Sequence, residues 1–316
     1  LTILETEQKQ IPFYVLPKLS ESQIEHITNE VAKVMRTGQI TNGLNVRQLE
    51  ERTKQLHGVD YAVACSSATQ AMWIALKTLK IKAIMVQAFT WKSLQYILPS
   101  ETFYCDINKN TWLMNQQSND LNALIVTHTF GNTDLAEQNS ENQTIIYDGA
   151  YSLGADLPEI GDATVLSLTA TKTVTSCEGG LILTNNRKLA NEAEEIRDKC
   201  SRMSELNAIV GLTYCGMLDE ILAKKKRIFD YYNAHLPFRS QKTSRYGTNY
   251  GFYGCLVPNR DVLLDNLKRK VDVRIRYEPL QKGFPATDEI ASKIVILPCY
   301  PDLDPSTVVN YVNEVT

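Results

Sequence analysis

The sequence has no long apolar run: nowhere in its 316 residues does a hydrophobic stretch approach the roughly 18 residues that cross a bilayer. No membrane span is therefore expected. It also lacks an excess of positive charge. A net charge of −3 argues against nucleic acid or an anionic membrane as the main partner. Cysteine appears without any pairing pattern: Cys65, Cys105, Cys177, Cys200, Cys215, Cys255 and Cys299 are odd in number and never in C-x-x-C spacing. They read as reduced, mostly buried thiols of a cytoplasmic protein, not as a disulfide frame or zinc site. His26, His57, His128 and His235 do not cluster either, so no metal centre is expected. The opening LTILETEQKQ has no basic region followed by an apolar core, which argues against a secretory signal. Leu1 at the first position implies a start that lacks its initiator methionine or is cut short. No internal repeat or low-complexity tract is present. No G-x-G-x-x-G follows the first strands, so a plain dinucleotide-binding fold is disfavoured.

What remains is ordinary globular composition, 43% hydrophobic and 22% charged. Along the first 190 or so residues, strand and helix patterns alternate, which implies a mostly parallel sheet with helices on both faces. Leu19-Ser20-Glu21-Ser22 supplies hydroxyl caps for a helix whose Ile24, Ile27, Val31, Val34 and Met35 recur at helical spacing up to Gly38, and a second helix runs from Val46 to His57. Short strands follow at 61–65, AIMVQ, 102–105, 123–131, 144–155, 163–168 and LILT, with a helix from Ala71 to Leu79. Helical periodicity covers 188–202 and 203–232, the latter including Lys224-Lys225-Lys226-Arg227, which reads as a solvated face. Then the character changes: strands at 251–259 and 273–280, a helix at 260–270, and 293–303 leading into a last helix near Pro305. A large domain over 10–228 and a small α+β domain over 229–316 are expected.

Four strand ends carry polar chemistry. GDATVLSLTATKTVTSCEGG holds one lysine, Lys172, among hydroxyls between two buried strands. Held out of water, such a lysine loses its proton readily and attacks carbonyls; the alternative is a solvated loop lysine. Ser66 to Gln70, between a strand and a helix, form an anion site or an ordinary helix cap. Asp148 ends a strand, where it caps a turn or holds a ring nitrogen protonated. Trp91 follows another strand, as a stacking ring or as core packing. A lysine, a carboxylate, a phosphate cradle and a stacking face are together what pyridoxal phosphate requires. The lysine is then the natural base for a Cα proton.

These stretches also occur together in a known order. TGQITNGLNVRQLEE, YAVACSSATQAM, FTWKS, FYCDINKNTW, ALIVTHTFGN, IIYDGAYSLGA, GDATVLSLTATKTVTSCEGGLILTNN, RMSELNA, LDEILAKKKRI, RIRYEPL and VILPCYPDL span nearly the whole chain. The chain resembles the DegT family of sugar aminotransferases, within fold type I of the pyridoxal-phosphate enzymes. The resemblance implies an α/β large domain, its mostly parallel sheet sandwiched by helices, plus a small C-terminal α+β domain. It implies pyridoxal 5'-phosphate as cofactor, with pyridoxamine 5'-phosphate as its amino-carrying form. The substrates implied are a nucleotide-linked keto sugar, as in surface polysaccharide or O-antigen assembly, and glutamate or glutamine as donor. A homodimer with active sites at the subunit interface is also implied. Residue by residue, Lys172 matches the lysine that carries the cofactor covalently, Ser167 a phosphate-binding serine, Asp148 the partner of the ring nitrogen, and Trp91 the stacking aromatic. Ala68, Thr69 and Gln70 match the phosphate-binding turn, with Ser67 adjacent.

Departures from the family pattern are specific. Tyr151 stands where glutamine or histidine usually contacts the cofactor's ring hydroxyl. The loop before RMSEL is missing, with Cys200 or Ser201 near the place of an asparagine that reaches the neighbouring subunit. Arg276 stands where histidine is common. A sugar dehydratase of the same family is one alternative, but that branch replaces the lysine that Lys172 retains. A catalytically silent homologue serving as a binding protein is the other.

Overall fold

The computed structural model describes residues 10–115, 121–136 and 143–315. The leader reading of LTILETEQKQ therefore falls, up to residue 9, outside the described residues. The chain enters through α1 (Glu21–Thr37), where Ser20 and Gln23 form a reciprocal capping box and Gly38, at φ 73°, closes the end. Next come α2 (Leu44–His57), β1 (Tyr61–Cys65), α3 (Ala68–Thr78), β2 (Ala83–Gln87) and β3 (Glu101–Cys105). The strands β4 (Ala123–Thr127), β5 (Thr144–Asp148), β6 (Ala163–Ser167) and β7 (Gly180–Thr184) complete the large sheet. Three helices follow: α4 (Arg187–Cys200), α5 (Glu205–Cys215) and α6 (Leu218–His235). The remainder is β8 (Arg239–Ser240), β9 (Tyr253–Leu256), α7 (Arg260–Leu267), α8 (Pro285–Lys293), β10 (Ile294–Leu297) and α9 (Pro305–Asn313).

The large sheet has the order β1-β7-β6-β5-β4-β2-β3 and is parallel except for β7, which runs antiparallel to both neighbours. Every residue of β4, β6 and β7 is buried, as expected of a sheet covered on both faces. Alternation along a strand divides the core. Val165 and Ile182 face α3 and α4, while Leu166, Leu181 and Leu183 face Val46, Leu49 and Leu218 from α2 and α6. The smaller sheet, β10-β9-β8, is antiparallel and packs Tyr253, Cys255 and Val295 against Leu263, Val308 and Val312. Leu218 and Ile221 of α6 belong to the first core and Ile228 and Tyr232 to the second, so the change of core falls inside one helix. This is the mixed, mostly parallel architecture of the fold type I class that the motifs implied.

Several elements differ from the sequence reading. The helix expected from Ala71 begins at Ala68, because the Ser67 hydroxyl accepts the Gln70 N–H at 3.2 Å and so caps the turn three residues earlier. The periodic stretch 203–232 is two helices, broken at Gly216-Met217. Residues 273–280 form no strand. One bridge joins Arg274 to Ile296, after which the chain crosses the cavity mouth and Leu280 donates to the Ala88 carbonyl at 2.9 Å. The basic run at 224–227 is not wholly solvated: Lys225 is buried, donating to the Gly251 carbonyl at 3.0 Å. Helix α8 was not foreseen. Its first N–H groups are capped by Asp106, from the end of β3, at 2.9 and 2.8 Å, a partner too distant in sequence for local rules to find.

Candidate active site

The carboxyl ends of the strands open on one cavity of about 260 Å³, the usual place for a site in such a sheet. Ser67, Ala68, Thr69, Trp91, Asp148, Tyr151, Ser167 and Lys172 all line it. Of the residues matched to the cofactor site, Gln70 is not in the lining. Its side chain is exposed and its backbone N–H is held by Ser67.

One wall is the cradle. Helix α3 points its N-terminus into the cavity, and Thr69 donates to the Ser93 hydroxyl at 3.1 Å. Across from it, at the end of β6, the Ser167 hydroxyl faces the same space beside Thr169. Gly180 makes this closeness possible: a Cβ there would run into the Ala68 nitrogen and the Ser67 carbonyl carbon. Hydroxyls and free helix N–H groups converging on one point favour an anion.

The cavity centre is a buried lysine and a buried carboxylate. Lys172 places its Nζ 3.1 Å from the centroid of the Tyr151 ring, which itself rests 4.6 Å from Phe252. Burial pushes the Lys172 amine well below the ordinary lysine range; Asp148 opposes that shift, and Arg276 and Lys225 add to it. Burial likewise raises Asp148, against the Ala150 N–H that it accepts at 3.2 Å and the nearby Lys172. A buried amine that gives up its proton readily is a nucleophile and a base at neutral pH.

Among the lining residues that escaped the sequence reading, two carry rings with polar atoms. His128 sits at the end of β4, fully buried, and burial pushes it down to about 4. Its Nε2 lies 3.3 Å from the Asp134 carbonyl, which only accepts, so that nitrogen carries the hydrogen and Nδ1 accepts from Ser152 at 3.0 Å. A histidine directly after a buried β-rich run was the available signal. The second is Tyr277, buried, its ring 6.1 Å from that of Trp91 in an edge arrangement. It was concealed by the strand assignment of 273–280. Trp91 itself is 40% exposed and stands at the rim, so core packing is not its role.

Residues 21–316 match the DegT/DnrJ/EryC1/StrS aminotransferase family. This chain belongs to that family. Solved structures agree on the fold. DesI, solved in the presence of its TDP-sugar product, shares 20% identity over 98% of this chain and 92% of its own, with a TM-score of 0.85. NtdA from Bacillus subtilis, solved with bound cofactor PMP, shares 20% identity over 98% of this chain and 86% of its own, with a TM-score of 0.86. PseC of Helicobacter pylori, an aminotransferase of pseudoaminic acid biosynthesis, shares 16% identity over 98% and 97%, with a TM-score of 0.80. The cofactor of this DegT-family member is pyridoxal 5'-phosphate. The residues present fit it, since an amine, a carboxylate, an anion cradle and an aromatic face all open on one cavity.

The family's departures have structural counterparts. Where the usual loop is missing, α4 ends beside β1: Ser201 Oγ lies 2.9 Å from Ser66 Oγ, and the Ser66 N–H donates to the Ser201 carbonyl at 2.9 Å. Ser201 is buried in this contact and braces the turn that leads to the cradle. The Tyr151 ring, at the position of the family's glutamine or histidine, forms the surface under Lys172.

Proposed function

We propose that this chain moves an amino group from glutamate or glutamine to a keto sugar carried on a nucleotide, in the building of a surface polysaccharide of the O-antigen type. The observation that carries the reading is the pairing of Lys172 and Asp148, both buried, in one cavity with the hydroxyl cradle at the start of α3. The TDP-sugar product of DesI and the pseudoaminic acid route of PseC support the substrate class.

Pyridoxal 5'-phosphate, when bound, would supply an electrophilic carbon and an electron-accepting ring. Lys172 holds it and carries protons to and from the substrate carbon. Asp148 keeps a proton on the ring nitrogen. Ser67, Ala68, Thr69 and Ser167 take the phosphate with the α3 N-terminus, and Trp91 covers the ring. Gln70 contributes through its turn, not its side chain. Tyr151 supports the lysine from below, and neutral His128, its ring nitrogens already bonded, shapes the wall beside Asp148. A homodimer working in the cytoplasm is the form this reading implies.

The test is the visible spectrum of the protein with added pyridoxal 5'-phosphate, for wild type and Lys172→Ala. A band that depends on Lys172 and bleaches with glutamate is the expected result. A band that ignores every amino donor favours a silent homologue, and no band at all ends the enzyme reading.

A further inference from the structure

One cation in the cavity has no part in the roles assigned above. Arg276 lies half-buried in the wall. Its guanidinium carbon is 5.0 Å from the centroid of the Trp91 ring, 5.5 Å from that of Phe252 and 6.0 Å from that of Phe13. Aromatic faces hold the group in place by cation–π attraction. Among the described residues, no hydrogen bond or ion pair engages its side chain. Arg274, two positions earlier, is by contrast paired with Asp272 at 2.6 Å. A partly desolvated guanidinium with its N–H edge unspent needs an acceptor, and its planar fork matches a carboxylate.

The position narrows the acceptor. Beyond Arg276 a second recess of about 230 Å³ opens, sharing Trp91, Arg276 and Tyr277 with the main cavity and adding Lys92, Arg274 and Glu278. The cradle hydroxyls of Ser67, Thr69 and Ser167 line the main cavity and not this recess, so Arg276 also faces a space away from the anion cradle. On its other side, the Arg276 charge is felt at Lys172. An amino acid whose nitrogen reacts at Lys172 carries its α-carboxylate on the very next carbon. That carboxylate must settle within a few ångströms of the lysine, on a wall that bears a cation. A nucleotide diphosphate lies many bonds from the carbon that receives the nitrogen.

We propose that Arg276 binds the α-carboxylate of the amino-acid donor. The assignment rests on the aminotransferase reading and deepens it, making Arg276 the residue that selects α-amino acids as donors.

The test uses the cofactor-loaded protein as wild type, R276Q and R276K. L-Glutamate and L-glutamine are titrated against loss of the lysine-dependent band. Calorimetry follows the binding of maleate, an unreactive dicarboxylate, and of glucuronate, a sugar acid. R276Q is expected to weaken both amino acids and maleate about 10- to 100-fold, the worth of a charge-assisted hydrogen-bonded pair. R276K should fall between it and wild type, because the charge survives and the fork does not. A lysine-dependent band that still forms in each variant shows that the fold and the loaded site are intact. Equal titrations for wild type and R276Q overturn the proposal. So does an Arg276 dependence seen with glucuronate but not with glutamate, which assigns the carboxyl to the sugar. A wild type with no lysine-dependent band fails earlier, at the aminotransferase reading itself, and takes the proposal with it.

Discussion

Lys172 and Asp148 are each shifted by burial toward their neutral forms and by each other toward their charged ones. Burial wins in both, and it is what makes the lysine a usable nucleophile. The two sites are therefore linked, and the sign of a substitution can be worked out. Asp148 is the anion that raises the lysine, so Asp148→Asn removes that support and lowers Lys172 further. A nucleophilic amine reacts in its free form, so the rate of cofactor capture should rise through its midpoint at lower pH in D148N than in wild type. The half-reaction with glutamate should instead slow by about 100-fold, because an amide no longer holds charge where the transition state needs it. Stopped-flow absorbance across pH measures both. A midpoint that moves to higher pH would contradict the coupling. His128 adds no competing charge in this range, since burial holds it at about 4.

At the scale of elements, one carboxylate starts a helix from another part of the chain. Gly43 precedes α2 with no side chain to cap it. Glu205, buried at the start of α5, accepts from the Gly43, Asn45 and Val46 N–H groups at 2.8, 2.9 and 3.0 Å. It does the work that a serine or aspartate at position 43 would do, and it needs glycine there: a Cβ would lie 2.8 Å from its carboxyl carbon. Glu205→Ala strands several buried donors and is expected to destabilise the fold by about 3 kcal/mol, with Glu205→Gln recovering part of it. Chemical denaturation of the three proteins checks this, and a loss below about 1 kcal/mol would refute the cap. The same example shows what the sequence left illegible. Helices capped by their own neighbours, such as α1 by Ser20, were readable, and so were the buried strands and Lys172, Asp148 and Trp91 at their ends. Elements whose boundary partner is remote were not: α8 takes its cap from Asp106, and 273–280 has strand composition but leaves its neighbour after one bridge. Lys225 was misread for the same reason, because its carbonyl partner at Gly251 lies in a loop that sequence periodicity does not place.

At the scale of the molecule, the apolar stripe that identified α1 is only partly covered. Of its residues only Val34 is buried; Ile24 is 45% and Met35 58% exposed. The exposure continues along the chain through Ile40 and Leu44, at 53% and 61%. An amphipathic helix whose stripe is only partly covered by its own chain leaves apolar surface for a partner. Covering Met35, Ile40 and Leu44 would contribute roughly 5 kcal/mol at ~1.5–3 kcal/mol per side chain, a large part of the ~8 kcal/mol that holds a micromolar complex. A second copy of the chain is the partner that the aminotransferase reading implies. Wild type should therefore sediment at twice the mass of one chain at micromolar concentration. Ile40→Glu with Leu44→Glu should shift it to a single chain with an unchanged circular dichroism spectrum, since neither side chain is needed by the core. A wild type that sediments as one chain, or a double variant that stays paired, removes this surface from the interface.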